Sequence, residues 1–305
     1  MYNSPQFILK LSGRPASRTI SSFCALILLT SCFCAQAAEI PAPAKLLPPE
    51  TVIFAEIANF AQLGEQFKKT GYYKLYKDPV MKPFIDDLKA KLVEEVKTDE
   101  FLSLISEVKT LPAGEVAFGL VTEPGKEVSE PQPVVFAEWG QAKDKVQETI
   151  DKAMAEVMEE GARKKTEEYR GVNIISVVNE SDPEFVPSYC FIEDCLIGSG
   201  HIGVLKSVIA RMKGSGGPSL ADDADYNSAI KAVGPYHDLD FYANIRQLKK
   251  QVIAEDSSGQ FRALSGSLGL DNLVSFSLAA GIARDSGRDS IAKGLLRVDG
   301  EKKGI

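Results

Sequence analysis

Val52-Ile53-Phe54-Ala55-Glu56-Ile57-Ala58-Asn59 is the stretch that decides the fold of this chain, because a related stretch recurs near residue 239. The first stretch is rich in β-branched and aromatic residues and leads into a helical segment that contains Gln62-Leu63. The second, Leu239-Asp240-Phe241-Tyr242-Ala243-Asn244-Ile245, leads into a helical segment that opens with Gln247-Leu248. A pair of predicted strands follows in both cases, at an offset of about 185 residues. The sequence therefore predicts a duplicated strand-helix-hairpin unit.

The elements around these two stretches come from apolar periodicity and from turn residues. Apolar residues at helical spacing predict helices after the first strand and over residues 143–160, 202–212, 222–233 and 246–255. Because the intervening strands are joined by short turns, we expect an α+β fold with mainly antiparallel sheets and packed helices. The second unit stops after Val298, so its copy is predicted to be incomplete. The predicted strands cover residues 51–57, 115–121, 134–139, 172–178, 188–192, 195–197, 239–245, 273–283 and 290–298.

The N-terminus predicts export. Residues 1–18 carry three basic and no acidic side chains, and an uncharged apolar run follows from Ile20 to Ala35. Ala35-Gln36-Ala37 supplies the small residues that a signal peptidase requires, so residues 1–37 are predicted to be a signal peptide that sends the chain to the periplasm or beyond. A competing site, Leu29-Thr30-Ser31-Cys32, resembles a lipobox and would leave Cys32 acylated and the chain anchored to a lipid. We expect no transmembrane span after cleavage.

Composition shifts divide the rest of the chain. Residues 38–49 form a proline-rich linker, residues 50–213 the first α+β unit, residues 214–221 a Gly/Ser linker, and residues 222–305 the partial second unit.

The charge of the chain excludes nucleic acid as a partner. Removal of residues 1–37 changes 35 basic against 42 acidic residues to 32 against 42, a net charge of −10. A surface this acidic repels phosphate backbones.

A dinucleotide fingerprint occurs once. Gly198-Ser199-Gly200-His201-Ile202-Gly203 matches G-x-G-x-x-G, and Asp222 lies near the expected position of the ribose-binding acid. The strand before it, however, is the second arm of a hairpin, and the helix after it ends in glycines instead of leading to a parallel strand. We interpret the motif as a glycine-rich hairpin exit and predict no cofactor.

Two patterns that could indicate a metal site lack the residues or the spacing that such a site requires. Asp223-Ala224-Asp225-Tyr226-Asn227 begins like a calcium loop, but Ser228 and Gly234 stand where such a loop needs glycine and a bidentate glutamate. The two histidines, His201 and His237, have no zinc-like spacing with cysteine. We predict no metal site.

No catalytic motif is complete. Ser106-Glu107-Val108-Lys109 matches S-x-x-K but lacks the companion motifs of such enzymes. The 42 acidic residues offer many carboxylate pairs, and spacing alone selects none. Catalytic residues are therefore unassigned, and a non-enzymatic protein is favoured over a cell-envelope hydrolase that uses paired carboxylates.

Residues 68–77, Lys-Lys-Thr-Gly-Tyr-Tyr-Lys-Leu-Tyr-Lys, interleave aromatic and basic side chains in an acidic chain. Such a segment can grip sugars or an anionic polymer. In the alternative interpretation, Tyr72 or Tyr73 packs on the core together with Leu75 and Tyr76, and the lysines face solvent. The predicted binding residues are Lys68, Lys69, Tyr72, Tyr73, Lys74 and Tyr76.

Cys190 and Cys195 are the two cysteines that follow the signal segment, and they flank the predicted turn Glu193-Asp194. A two-residue turn pairs Cys190 with Ile197, so the two sulfurs lie diagonally on one face with Cα atoms about 7 Å apart. A disulfide between them is compatible with an oxidising compartment. Two small buried side chains are the alternative.

Three motifs carry a resemblance to known proteins: Leu47-Pro48-Pro49-Glu50-Thr51, then Lys69-Thr70 with Tyr73-Lys74-Leu75, then Asp78-Pro79-x-Met81-Lys82-Pro83-Phe84. This pattern resembles a group of exported bacterial proteins of unknown function. The resemblance implies export and a similar architecture, and it implies no activity or functional residues. The expected function is that of a non-enzymatic exported protein that binds a cell-envelope component or another protein, or that has a structural role in the envelope.

Overall fold

A computed structural model describes residues 40–97, 110–123, 125–126, 129–159, 161–178, 186–256, 259–267, 270–284 and 288–300. The predicted signal peptide with Cys32 lies outside these ranges, as does the S-x-x-K motif. Residues 41–305 form one compact unit.

One antiparallel sheet organises the described residues. Its strands run in the order β10-β9-β8-β1-β2-β3-β7-β6-β5-β4, and every neighbouring pair is antiparallel. The strands are β1 Thr51–Ile57, β2 Val116–Val121, β3 Gln132–Glu138, β4 Arg163–Tyr169, β5 Val172–Val178, β6 Ser188–Ile192, β7 Cys195–Ser199, β8 Leu239–Ala243, β9 Leu273–Ile282 and β10 Ser290–Val298.

Eight helices accompany the sheet in the described part of the chain. The α+β prediction is confirmed, and the helical stretch expected after β1 consists of three separate helices. The helices are α1 Phe60–Phe67, α2 Gly71–Lys77, α3 Lys82–Lys97, α4 Lys143–Glu159, α5 Ile202–Met212, α6 Ala224–Ala232, α7 Ile245–Glu255 and α8 Gln260–Ser267.

The two stretches that predicted a duplication lie side by side at the centre of the sheet. β1 and β8 pair antiparallel, with Ala55 opposite Phe241. The hairpin β2–β3 extends the sheet on the side of β1, and β9–β10 extends it on the side of β8. Asn59 caps the helix after β1 and Asn244 caps the helix after β8, each by accepting a hydrogen bond from a main-chain N–H three residues later. The duplication itself stays a prediction.

Helices cover both faces of the sheet. Successive side chains of a strand point to opposite faces of the sheet. Two residues of β4 that are an odd number of positions apart therefore contact helices on opposite faces. Lys164 approaches Asp151 of α4, with 3.5 Å between Nζ and Oδ1, whereas Glu167 pairs with Lys206 of α5. α4 and α5 therefore lie on opposite faces.

The apolar stripe of α4 forms one half of the core. Val146, Ile150 and Met154 recur at helical spacing, as predicted, and are buried against Trp139 and Tyr189. The side of α5 that contacts the sheet is equally apolar, and four of its side chains are fully buried: Val204, Leu205, Val208 and Ile209.

Two elements were not predicted. β4 has the sequence Arg-Lys-Lys-Thr-Glu-Glu-Tyr, in which no apolar residue alternates with polar ones, so the strand signal is absent. It nevertheless pairs along its whole length with β5. α8 contains Ser and Gly, which weaken a helical pattern.

The predicted Gly/Ser linker is hydrogen-bonded to α5. Ser215 donates from both its main-chain N–H and its hydroxyl to the carbonyl of Ala210, and Arg211 Nε donates to the carbonyl of Pro218 at 3.0 Å. Leu220, at the end of this segment, is fully buried. The strands before and after the segment belong to one sheet.

Candidate functional site

Helix α2 carries the predicted tyrosine–lysine segment and is fixed at its N-terminus. The hydroxyl of Thr70, which is buried, accepts a hydrogen bond from the N–H of Tyr73 at 3.2 Å and donates one to the carbonyl of Phe67 at 2.7 Å. The N–H of Gly71 donates to Oδ2 of Asp289, next to β10, at 2.8 Å. These contacts hold α2 in a defined position outside the sheet.

Three large side chains of α2 face solvent on one side of the helix. Tyr72 is 55% exposed, Leu75 53% and Tyr76 40%. Their spacing of three and four residues places them on one face. Tyr73 is half-buried, since its ring packs edge-on against Phe67, with ring centroids 5.8 Å apart, and stacks on the ring of Tyr76. Tyr72, Leu75 and Tyr76 are therefore exposed, while Tyr73 is half-buried.

Exposed apolar side chains also occur in the turn after α2 and in α3. Val80 is 84% exposed, Phe84 60% and Leu88 47%. Six of the eleven large apolar side chains that are exposed in the described residues thus fall between residues 72 and 88. Sequence reasoning missed Val80, Phe84 and Leu88 as surface residues, although Phe84 lies in the Asp-Pro-x-Met-Lys-Pro-Phe motif and Leu88 follows it by one helical turn.

The lysines of this region fall into two groups. Lys68 is neutralised by Glu65, with 2.6 Å between Nζ and Oε1. Within the described ranges, by contrast, no ion pair is formed by Lys69, Lys74 or Lys77. We define the tyrosine–lysine surface as Tyr72, Leu75, Tyr76, Val80, Phe84 and Leu88 together with Lys69, Lys74 and Lys77.

A second group of side chains, which the sequence did not single out, lies at the centre of the sheet. Glu56 of β1 stands opposite Asp240 of β8, and Glu115 hydrogen-bonds to Glu56. Burial, this hydrogen bond and the charge of Glu56 raise the pKa of Glu115 to about 8. Burial likewise raises the pKa of Glu56. We call Glu56, Glu115 and Asp240 the carboxylate cluster.

Histidine and main-chain groups surround the carboxylate cluster. His237 Nδ1 lies 2.7 Å from Oδ1 of Asp240, and Oε2 of Glu138 accepts a hydrogen bond from the N–H of Glu115 at 3.0 Å. A carboxyl pair of this kind can hold and share a proton.

Among the residues described, no group of three or more His, Cys, Asp and Glu side chains is arranged to hold a metal ion. An open depression of the surface lies elsewhere, along α4, and none of its lining residues belongs to the cluster.

The cysteine hairpin has the predicted register. Ile192 pairs with Cys195 and Cys190 pairs with Ile197 across the turn. Both thiols are buried and free. Burial raises the pKa of each thiol to about 12, so the nucleophilic thiolate is scarce at neutral pH.

The G-x-G-x-x-G motif forms the end of a strand and the start of a helix. Gly198 and Ser199 belong to β7, which pairs antiparallel with both neighbours. His201 caps α5 through Nδ1, which accepts from the N–H of Gly203 at 3.2 Å. A Cβ at Gly203 would lie 2.9 Å from the His201 ring. Gly203 therefore leaves space for the His201 ring, which caps the helix. A dinucleotide site would place a phosphate at this same position.

The calcium-like segment is also a helix start. Asp223 caps α6, and its Oδ1 accepts from the N–H of Tyr226 at 2.7 Å. Asp225 pairs with Arg246 and Arg297. The predicted interpretation of this segment as an acidic first helical turn is confirmed.

A domain of unknown function, described as Protein of unknown function (DUF3352), is found at residues 127–273. This range begins before β3 and ends at the first residue of β9. No curated protein and no solved structure matches the chain. The motifs between Leu47 and Phe84 and the tyrosine–lysine surface lie outside the matched range.

Not one helix in the described ranges is long and apolar enough to cross a bilayer.

Proposed function

We propose that this protein is exported and that it binds, without catalysis, to the anionic surface of a bacterial membrane through the tyrosine–lysine surface. The observation that carries the proposal is the exposure of six large apolar side chains within 17 residues, beside three lysines without an ion pair in the described structure.

Both components of the surface favour a membrane interface. Tyrosine suits the boundary between lipid headgroups and acyl chains because it has an apolar body and a polar end. Apolar side chains on one side of a helix gain about 25 cal/mol for each Å² that they bury in the acyl boundary. Each lysine close to an anionic leaflet adds about 1 kcal/mol.

The charge of the whole chain determines which side approaches the membrane. With residues 1–37 removed the chain carries a net charge of −10, so most of its surface is repelled by anionic lipid. Residues 68–77 contain four lysines and no acidic residue. Attraction is therefore local and orients the molecule with α2 toward the lipid.

Export and anchoring are part of the same proposal. The sequence signals in residues 1–37 support it, and acylation of Cys32 would add a second membrane contact. A soluble mature form would depend on the tyrosine–lysine surface alone.

The alternative of a hydrolase would use the carboxylate cluster, in which Glu56 and Glu115 form the convergent pair. Such an enzyme needs a concave site that admits its substrate. The open depression along α4 has no lining residue from the cluster, whereas the exposed apolar side chains of the tyrosine–lysine surface favour membrane binding.

The test is co-sedimentation of residues 38–305 with vesicles of phosphatidylglycerol mixed with phosphatidylcholine, compared with vesicles of phosphatidylcholine alone. We expect binding to the anionic vesicles only, and we expect it to weaken as salt screens the lysines. The variant Tyr72→Ser/Leu75→Ser/Tyr76→Ser and the variant Lys69→Gln/Lys74→Gln/Lys77→Gln are each expected to lose binding at least tenfold.

Control variants change exposed apolar or basic side chains elsewhere. Leu296→Ser/Val298→Ser removes two apolar side chains of similar exposure from β10, and Lys145→Gln/Lys213→Gln/Lys231→Gln removes three exposed lysines. Both controls should bind vesicles as the unchanged chain does.

The proposal is wrong if the chain binds neither kind of vesicle, or if the controls lose binding as strongly as the surface variants. Retention of a protein from an envelope extract through the same residues, without vesicle binding, would also contradict it.

A further inference from the structure

Strand β4 forms one outer edge of the sheet. It pairs with β5 on one side, and within the described residues no strand pairs with its other side. Five of its seven residues are exposed, and Glu167 and Tyr169 are half-buried. An edge strand presents a row of unpaired N–H and C=O groups that can pair with another chain.

The charges of β4 are arranged symmetrically about its central residue. Lys164 and Lys165 precede Thr166, and Glu167 and Glu168 follow it. If a second copy of β4 lies antiparallel with the two Thr166 residues opposite each other, every lysine of one strand faces a glutamate of the other. Lys164 is then opposite the partner's Glu168, and Lys165 is opposite the partner's Glu167. Opposite charges at directly facing positions stabilise an antiparallel pair.

The main-chain N–H and C=O groups that β4 directs away from β5 belong to the residues that this register requires. The β4–β5 turn consists of Arg170 and Gly171, which both have positive φ, as a two-residue hairpin turn requires. In such a hairpin the flanking residues Tyr169 and Val172 bond to each other, and the main-chain groups of β4 point alternately toward β5 and away from it. The residues that point away are Lys164, Thr166 and Glu168.

A pair centred on Thr166 therefore brings outward-pointing residues opposite one another. Thr166 faces the partner's Thr166, and Lys164 faces the partner's Glu168. This arrangement allows about six main-chain hydrogen bonds between the two strands. Hydrogen bonding and charge thus select the same register.

The facing side chains also lie on matching sides of the sheet. Thr166 and Lys164 are on the side of α4, where Lys164 approaches Asp151. Glu167 and Lys165 are on the side of α5, where Glu167 pairs with Lys206. A two-fold axis perpendicular to the sheet preserves the side of each residue, so the charge pairs form on both sides.

The other outer strand does not have this property. The charged residues of β10 are Lys293 and Arg297, which are both basic. Lys293 donates to the carbonyl of Ala232, and Arg297 pairs with Asp225. Two copies of β10 would bring only like charges together, so self-complementarity distinguishes β4.

We propose that two copies of this chain associate through β4, in an antiparallel pair centred on Thr166 that joins their sheets into one. The contact is isologous, since each copy contributes the same strand, and it therefore closes as a dimer and not as a fibre.

Light scattering and sedimentation of residues 38–305 measure the association. We expect a mass twice that of the chain, with a dissociation that becomes easier at high salt. Two charge variants provide the decisive experiment. The acidic variant is Lys164→Glu/Lys165→Glu, and the basic variant is Glu167→Lys/Glu168→Lys.

Each charge variant alone places like charges opposite each other and should be monomeric. A mixture of the acidic and the basic variant restores all the opposite pairs and should give a 1:1 heterodimer. Lys213→Glu/Lys231→Glu changes the same charge at exposed positions outside β4 and should leave the dimer intact. Circular dichroism checks that each variant retains its strands and helices.

A main-chain variant tests the pairing independently of charge. Thr166→Pro removes an outward-pointing N–H at the centre of the pair and should give monomers, whereas Thr166→Ala keeps the N–H and should stay dimeric. A monomeric unchanged chain overturns the proposal. So does a dimer that survives in either charge variant alone, or a failure of the two charge variants to combine when mixed.

Discussion

Glu115 shows how the fold changes the chemistry of a single residue. Its carboxyl group is half-buried next to Glu56, and its pKa rises from 4.5 to about 8. A carboxyl group whose pKa is raised on folding stabilises the protein fully below its unfolded pKa, and this contribution is lost as the pH rises through the folded pKa. The relevant window here runs from 4.5 to about 8.

We predict that Glu115→Gln removes most of this pH dependence. The free energy of unfolding of the unchanged chain should fall relative to the variant between pH 5 and pH 9, because only the unchanged chain acquires a negative charge beside Glu56. Since Glu115 is half-buried, solvent screens this charge, and we expect a fall of about 2 kcal/mol, less than half of what the full pKa shift would give. Urea titrations at several pH values measure the difference. Glu130→Gln, at an exposed position, should keep the pH dependence of the unchanged chain, and an unaltered dependence in Glu115→Gln would contradict the assignment.

At the same scale, the sequence could not identify the carboxylate cluster. Glu56, Glu115 and Asp240 are far apart in the chain and lie among 42 acidic residues. Their proximity depends on the pairing of β1 with β8 and of β1 with β2. Nothing in the local sequence around Glu115 distinguishes it from a solvated glutamate.

At the scale of the element, the helices that follow β1 and β8 begin in the same way. Asn59 Oδ1 accepts from the N–H of Gln62 at 2.8 Å, and Asn244 Oδ1 accepts from the N–H of Gln247 at 3.1 Å. Each side chain satisfies one of the N–H groups that the first helical turn leaves without a partner.

We predict that Asn59→Ala and Asn244→Ala each lower the free energy of unfolding by about 1 kcal/mol. Asn59→Asp and Asn244→Asp should lose much less, because aspartate also accepts at this position. Urea titrations of the four variants measure these losses. Asn173→Ala removes the same side chain from an exposed position in β5 and should change the stability by less than about 0.5 kcal/mol. A loss of that small size at Asn59 or Asn244 would show that the cap does not stabilise its helix.

Elements whose apolar residues recur at a regular spacing could be predicted from the sequence, and elements without such a spacing could not. α4 and α5 have apolar stripes that meet the sheet, so their sequence patterns report their burial. β4 has no such pattern because both of its sides are largely exposed. Its pairing with β5 depends on the turn at Arg170-Gly171 and on the apolar residues of β5.

At the scale of the whole molecule, β1 and β8 join the two halves of the sheet. Besides their ladder, the N–H of Asn244 donates to the carbonyl of Val52 at 2.8 Å, and that of Ala58 donates to the carbonyl of Asp238 at 3.3 Å. The ring of Tyr226 contacts both Phe54 and Tyr242 edge-on at the same place. The strands of the two predicted units therefore share a core at the centre of the sheet.

We predict that residues 38–305 unfold in a single transition. Trp139, the single tryptophan of the chain, is 4% exposed and reports on the core next to α4. Its fluorescence and the far-ultraviolet circular dichroism should change at the same urea concentration, since separation of β1 from β8 would expose the shared core. Two separate transitions would show instead that the predicted units fold independently.

The sequence by itself determined the α+β class, the main helices and strands, the register of the cysteine hairpin and the tyrosine–lysine segment. These features depend on local period, on turn residues and on residue type, which are properties of short stretches of chain. Only the tertiary structure decided that all ten described strands form one sheet, that Glu56 and Glu115 share a site, and which side chains of α2 and α3 face solvent. It also placed β4 at an edge, where its symmetric charges can meet a second copy. These features depend on contacts between residues that are distant in the chain, and such contacts are fixed by the packing of the whole molecule.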